Sequence, residues 1–404
     1  MIKKFCLICL CGLFLAGCTE EAVLSIERED HFSLKIGRLE DELDLFGLWG
    51  NRSIRRTGIA MRDGLFYIAN GNGQKIGHYN SYGDMLFMIY NEENNPPPLS
   101  LATGGQENGA VTKWAYAYPL EEPGLIIVDS RKHIYAEDRF PYEMHSYDSE
   151  KHVLLDSMVL HFDEGGRFVE YLGQEGVGGS PFPHIEGLYT SANDELGVIC
   201  RLPEGWNIYW FTSDGMVSYV IRLRNEAIPV PQDRPDVFGS VDTIIAAPDG
   251  RRLFIKVDYY RLTYDESTNT RSGSECDSSV LWVMDVETGA YLYSVEVPLY
   301  EFSYTENGRR LTENLFYSII GAASKGRIFL SFPAEGGYSI LILSADTRTA
   351  GEQRRSFIQV NNEELQYTSF SISEDGILSA LLATNEEVRV VWWRTDRVSA
   401  EMDR

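Results

Sequence analysis

An all-β fold is predicted by three features of the sequence. Short apolar runs rich in aromatic and β-branched residues recur along the chain. Turns of Asn, Asp, Glu and Gly separate them. The order run, turn, run, turn, run then returns several times, while no extended stretch carries the 3.6-residue period of an amphipathic helix.

The first unit shows the pattern in "DGLFYIANGNGQKIGHYNSYGD", residues 63–84. Leu65–Ile68 reads as a strand, "NGNGQ" as a tight turn of residues tolerant of positive φ, Lys75–Tyr79 as a second strand and "NSYGD" as a second turn. Met85–Ile89 follows as a third strand. The second unit joins "GLIIVDSRKHIYAEDR" (124–139) to "SMVLHFDEGGRFVEYLG" (157–173). The third spans 195–223. The fourth opens at 247–260 and closes at 279–297 after a polar insertion. The fifth and sixth span 324–348 and 373–396. Units of this size bury their faces only against neighbours, and closing the row into a ring leaves short, protected edges. The prediction is a β-propeller of six blades, each of four antiparallel strands, with seven blades as an alternative. Segment 32–60 is expected to lend a strand that closes the ring. Residues 38–46 place Leu39, Leu43 and Phe46 at helical spacing and allow a short strand equally.

The amino terminus reads differently. Lys3 and Lys4 precede a twelve-residue apolar run, Phe5 to Ala16. That is shorter than the roughly 20 apolar residues that span a bilayer, so it reads as an export signal. Leu15-Ala16-Gly17-Cys18 follows and resembles the bacterial lipobox, in which the cysteine sulfur is acylated before cleavage. The resemblance implies a signal peptide over 1–17, an acylated Cys18 with a tether over 18–31, and one propeller domain over 32–400. It places the protein in the bacterial cell envelope, lipid-anchored at the outer membrane or the periplasmic face of the inner membrane. An exported chain would let Cys200 and Cys276 pair, although a strand and a distant polar loop disfavour it.

The first repeat also resembles an NHL unit. Gly58, Ile59, Ala60, Gly64, Ala69, Asn72, Ile76, Tyr79 and Gly83 stand at its hallmark positions, with Asn70 in place of the usual aspartate. The similarity extends over 33–223 and fades beyond. "LWVMDVETGAYLYSVEV" (281–297) resembles a blade half of quinoprotein-type propellers. The likeness implies a ligand- or protein-binding propeller of the envelope and no particular chemistry.

The formal net charge of −24 argues against nucleic acid and anionic lipid surfaces as partners. All seven histidines lie at or before His184, so half of a ring offers none to an axial metal. HExxH and GxSxG are absent. Ser180 in "GVGGSPF" lacks the strand–elbow–helix setting of a nucleophile, and "HFDEGG" (161–166) suits a turn. No catalytic residue, metal ligand or cofactor is assigned. Aromatic and arginine side chains dominate binding hot spots, so Arg139, Tyr142 and His145 in one loop, and Tyr259, Tyr260 and Arg261 in another, are the candidate binding surface. The sequence thus reads as a lipid-anchored, non-catalytic binding propeller or scaffold. The membrane holds it through acyl chains on Cys18, and a protein or small ligand binds a propeller face. Two alternatives stand beside it: a scaffold of outer-membrane protein assembly, and a propeller hydrolase or lyase acting on glycan or phosphate esters. Three or more His, Asp, Glu or Arg side chains meeting at the channel mouth would favour the enzyme.

Overall fold

The computed structural model describes residues 24–47, 55–103, 113–230, 234–265, 267–306 and 308–403. The expected signal segment and Cys18 lie outside the described residues.

Period-two alternation sets every blade. In blade 1, Thr57–Arg62, Leu65–Asn70, Lys75–Tyr79 and Met85–Tyr90 pair in order as an antiparallel meander. Blade 2 is built from Ile126–Val128, Ile134–Arg139, Ser157–Phe162 and Phe168–Gly173, with Gly176–Val177 at its edge. Blade 3 comprises Ile185–Thr190, Leu196–Leu202, Gly205–Phe211 and Val217–Arg224. Blade 4 comprises Val237–Ala246, Arg252–Tyr264, Arg271–Asp285 and Tyr291–Val297. Blade 5 comprises Ser318–Ala323, Arg327–Ala334, Gly337–Ser344 and Gln353–Gln359. One further sheet closes the ring, with Tyr367–Ile372, Leu378–Ala383 and Glu387–Trp393 completed by Arg28–Ile36 from the other end of the chain. The first strands of successive sheets touch around a closed circle, from Thr57–Arg62 through each blade and back.

This corrects the expected six or seven copies of one four-stranded antiparallel unit. Five blades are self-contained, each from one stretch of chain, and the closing sheet is a composite of both ends. Only blades 3 and 4 are plain four-stranded antiparallel sheets. Blade 1 gains the parallel strands Trp114–Ala117 and Ala102–Thr103. Blade 5 gains Leu24–Ile26 and the closing sheet gains Glu42–Leu43, also in parallel. The expected tether over 18–31 is therefore folded from Leu24 onward. Its strand character was hidden because Leu24–Ile26 is only three residues long and Arg28–Ile36 faces water and carries charge, as strand edges commonly do. The helix allowed at 38–46 does not form; a turn leads into Glu42–Leu43.

Between neighbouring sheets the inward faces interlock. Ile199, Trp206, Ile208 and Trp210 of blade 3 pack on Ile244, Leu253, Ile255 and Val257 of blade 4. Each fully buried side chain of this size contributes about 1.5–3 kcal/mol, so the interfaces between blades hold the ring. A cross-strand stack repeats within the blades. Tyr67 lies on His78 at 4.2 Å and 9°, and Tyr135 on His161 at 4.6 Å and 15°. In blade 3 the pair opposite each other is Gly197 and Trp210, where a Cβ on the glycine would stand 3.1 Å from the indole. The "NGNGQ" turn also differs from expectation, since its positive φ falls on Gln74 (φ 49°) rather than on a glycine.

Candidate binding face at the mouth of the axial channel

In each meander the connections after the second and fourth strands leave at one end, and those after the first and third at the other. The innermost strands lie in parallel. A Cβ on Gly58 would stand 2.4 Å from the Gly124 carbonyl, and the Arg62 Nη1 donates to the Val128 carbonyl at 3.4 Å. All second- and fourth-strand connections therefore gather on one face, beside the amino ends of the innermost strands.

On that face, charged groups from three blades meet at the channel rim. Arg56 directly precedes the first strand of blade 1. Its Nη1 donates to Glu137 Oε2 at 3.3 Å. Glu137 sits near the end of the second strand of blade 2, and Gly124 leaves it room, since a Cβ there would lie 2.9 Å from Glu137 Oε2. The Leu125 N–H also donates to this oxygen at 3.1 Å. Burial nevertheless raises the Glu137 carboxyl, against the pull of Arg56. From blade 3, His184 Nε2 lies 3.5 Å from Glu186 Oε2, with both side chains open to water. The Glu186 carboxylate raises His184 above the ordinary imidazole value, and His184 lowers Glu186 in return. His184 and Arg56 both act on Glu137 electrostatically. One end of the ring thus presents a carboxyl raised by burial, a histidine–carboxylate pair and an arginine.

Alternation sends the next side chain the other way. Asp138 is fully buried and accepts the N–H groups of Glu121 and Glu122. Burial pushes it up to about 7 while those backbone donors pull it down. It fixes the loop that carries Glu122, the centre of an ionic belt along the rim. Arg38 Nη2 donates to the Asn72 carbonyl at 3.2 Å, and Asn72 Oδ1 accepts the Arg55 N–H at 3.2 Å. Arg55 Nε pairs with Glu122 at 2.6 Å, Glu122 pairs with Arg139, and Arg139 Nη1 pairs with Asp156 at 2.8 Å. Such half-exposed pairs contribute about 0–1 kcal/mol each, so the belt orients side chains more than it stabilises the fold.

Arg139 is thus on the rim. Tyr142 is 83% exposed beside it. His145 lies with its ring 5.5 Å from Tyr142 and its Nε2 2.7 Å from the Phe140 carbonyl oxygen. Tyr260 and Arg261 lie on the same face in blade 4, and the structure does not bring the two triads together. Tyr260 stacks on Phe238 at 5.5 Å, and Arg261 pairs with Asp277 at 3.1 Å. Tyr259 is corrected. It is 2% exposed and its hydroxyl accepts the Trp282 indole N–H at 3.1 Å, so it belongs to the core. Alternation along Arg252–Tyr264 puts Tyr259 and Tyr260 on opposite sides. The sequence reading missed Arg56, Glu137, His184 and Glu186. The signal available for Glu137 was "IYAEDR", where Glu137 and Asp138 end a strand facing opposite ways.

Among the described residues, no group of three His, Cys, Asp or Glu is disposed to hold a metal ion. Ser180 Oγ donates to Glu175 at 2.8 Å. Asp163 of "HFDEGG" accepts the Gly165 and Arg167 N–H groups at 3.0 and 2.8 Å, as a turn requires. Cys200 and Cys276 are free, and burial raises both thiols. At the opposite channel mouth a pocket of about 150 Å³ is lined by Ala192, Pro248, Asp249, Arg252, Lys325 and Glu374, below the ~300 Å³ usual for ligand sites.

The sequence matches no known family, and no curated protein is similar to it. Among solved structures, it is similar to the Dos1 propeller at 11% identity over 92% of this chain and 95% of that one, TM-score 0.36. A luciferin-regenerating enzyme matches at 8% identity over 84% and 90% of the two chains, TM-score 0.36. A Pyrococcus horikoshii acylaminoacyl peptidase matches at 11% identity over 64% of this chain, TM-score 0.32; the chain spans about a third of that peptidase, 35%. At such scores they carry no argument about activity. The resemblance to a six-bladed NHL-type propeller is corrected, since five blades are self-contained and no family model matches the sequence. The residues behind its NHL part have local reasons in this fold. Gly58 meets the Gly124 carbonyl, and Asn70 Nδ2 donates to the Asp44 carbonyl at 2.8 Å and to Thr57 Oγ1 at 2.9 Å. Close approach and polar satisfaction demand these residues in a blade of any ancestry.

Proposed function

We propose that this protein is a binding propeller whose partner or ligand docks on the rim face. The reading rests on one observation: side chains from three blades, Arg56, Glu137, His184 and Glu186, converge at the channel mouth, with Arg56, His184 and Glu186 open to water. We infer further that acylated Cys18 holds the domain at a bacterial envelope membrane, a reading supported by the resemblance of Leu15-Ala16-Gly17-Cys18 to the lipobox. A photo-crosslinking residue at Tyr142, and separately at Tyr82 on the opposite face, tests the docking side in living cells. Both positions are exposed, at 83% and 85%. Adducts from 142 and none from 82 are expected; the reverse pattern overturns the proposal. The identity of the adduct decides whether the partner belongs to outer-membrane protein assembly.

A second reading, a hydrolase or lyase acting on glycan or phosphate esters, draws support from the same convergence. Glu137, raised by burial, would serve as general acid, and the His184–Glu186 pair as base. Glu137→Gln and His184→Ala would each abolish turnover of an aryl glycoside or aryl phosphate. Equal hydrolysis by the parent and both variants would refute the assignment.

A further inference from the structure

Blade 2 carries a chain of hydrogen-bonded side chains at the end opposite the rim. Glu170, His161 and Tyr135 stand opposite one another on its fourth, third and second strands, and His133 lies two residues before Tyr135. Glu170 Oε1 lies 3.3 Å from His161 Nδ1, and His161 Nε2 lies 2.9 Å from His133 Nδ1. A carboxylate only accepts, so His161 donates from Nδ1, and its Nε2 is left to accept the His133 Nδ1–H. His133 Nε2 keeps a lone pair. Blade 1 holds Leu65, Tyr67, His78 and Phe87 at the same places. Its tyrosine–histidine stack is the same, but both ring nitrogens of His78 lack a hydrogen-bond partner among the described residues. The stack is therefore packing, and His133 and Glu170 are what blade 2 adds to it.

Both ends of the chain abut blade 3. A Cβ on Gly215, in the turn after the third strand of blade 3, would stand 3.1 Å from Glu170 Oε1. At the other end, the His133 N–H donates to Asp129 Oδ1 at 2.8 Å, which closes the Asp129–His133 turn. Ser130 of that turn donates its N–H and its hydroxyl to Asp194 of blade 3 at 2.8 and 2.9 Å. Ala192, two residues before Asp194, lines the pocket at the opposite channel mouth. The surrounding charged groups have partners of their own or face water. Arg131 pairs with Asp129 at 2.8 Å and with Asp194 at 3.5 Å. Lys132 turns to Asp63 of blade 1 at 3.8 Å, Asp163 accepts N–H groups of its own turn, and Asp214, beside Gly215, accepts the Thr212 hydroxyl. Glu164 and Arg167 are exposed. Glu170 is the carboxylate left to the two imidazoles.

Two charged rings cannot keep this arrangement. One proton can enter at His133 Nε2 with every bond retained. A second, on His161 Nε2, would point at the His133 Nδ1–H across 2.9 Å, two donors and two like charges face to face. Burial also holds His161 below the ordinary imidazole value, against the pull of Glu170. We propose that the His133–His161 pair is an acid-opened latch on the seam between blades 2 and 3: it is closed with one proton or none, and a second proton opens it. Once it opens, the turn that grips Asp194 is cut off from the strand that carries Glu170, and the face opposite the rim loosens. The closed pair binds one proton fewer than the open pair, so the contact is complete above the ordinary value of about 6.5 and weakens as pH falls below it. The latch is independent of the rim cluster and of any reading placed on it.

Amide exchange of the purified protein, followed by mass spectrometry at pH 7.5 and 5.5 and divided by the chemical exchange rate, tests this. Two open rings titrating at about 6.5 against a closed pair limited to one proton should raise opening of the peptides spanning 129–135 and 191–195 about five- to tenfold at the lower pH. Arg252–Tyr264 of blade 4, a strand without histidine, should change less than twofold. His161→Phe keeps a ring on Tyr135 and removes the second proton, so its rise should also stay below twofold. NMR of ring-15N-labelled histidine reads the latch directly, with His133→Gln assigning the signals. At pH 8 both rings should be Nδ1–H tautomers, and at pH 5.5 the folded pair should hold one proton. An Nε2–H tautomer at His161 at pH 8, two protons on the folded pair at pH 5.5, or an equal rise in the parent and His161→Phe overturns the proposal.

Discussion

Replacing Tyr367 by Phe should loosen the seam between the closing sheet and blade 1. The Tyr367 hydroxyl donates to the Thr57 carbonyl and accepts the Thr57 N–H at 3.1 Å. Thr57 is fully buried, so neither group can turn to water when the hydroxyl is removed. A buried backbone group left unsatisfied costs about 1–3 kcal/mol. Two such groups, with some relaxation of the seam, give an expected loss of about 2–4 kcal/mol. Urea unfolding followed by tryptophan fluorescence would read it as a lower midpoint at unchanged slope. Tyr317→Phe is the control: its hydroxyl meets Ser339 Oγ at 3.2 Å, and only about 1 kcal/mol should be lost. Equal midpoints for Tyr367→Phe and the parent would refute the reasoning, because the seam would then hold without these bonds.

Further outcomes follow from the same structure. His78 is buried against Tyr67 and Phe87, and desolvation lowers it to about 4 from an ordinary 6.5. Its folded value is depressed, so the unfolded chain binds the extra proton. The associated stability is complete above pH 6.5 and is lost as pH falls to about 4, roughly 3 kcal/mol in all at 1.36 kcal/mol per unit. His78→Phe should flatten the stability–pH curve in that window, and an unchanged slope would sink the assignment. Lys256 is fully buried with its Nζ 2.7 Å from Asp258. Lys256→Met should cost about 3–5 kcal/mol by stranding that carboxylate, and Lys256→Met/Asp258→Leu should recover most of it; no recovery would argue against a pairing role. Arg139→Ala opens the ionic belt at a half-exposed pair, so stability should change by less than about 1 kcal/mol. The same variant should lower crosslinking yield from position 142, and an undiminished yield would remove Arg139 from the docking surface.

The sequence carried the repeat because buried strands alternate and turns need particular residues. Leu65–Asn70 and Leu196–Leu202 are legible from their apolar faces alone. Arg28–Ile36 is not: its charged, half-exposed residues give no alternation, and only pairing with Glu387–Trp393 makes it a strand. Leu24–Ile26, read as tether, is only three residues long and becomes a strand by pairing with Gln353–Gln359. The rim was half legible. Arg139 and Tyr142 stood out by residue type, whereas Glu137 and His184 belong to different blades and meet only because the ring closes. Tyr259 and Tyr260 show the opposite limit. Both are aromatic in one run, but a shift of one residue along a strand separates core from surface.

The composite sheet also sets a schedule for folding. Trp392 Nε1 donates to Glu29 Oε2 across 363 residues of sequence. Arg28–Ile36 is made before blades 1 to 5, and its hydrogen-bonding edge stays without its partner until Glu387–Trp393 exists. Blades 1 to 5 can form while the chain is still emerging, but the circle stays open until the strands between Tyr367 and Trp393 are made. During that interval the early strand is an exposed edge of the kind that pairs with other chains. Its charge, a liability for recognition from sequence, protects it from aggregation while it waits.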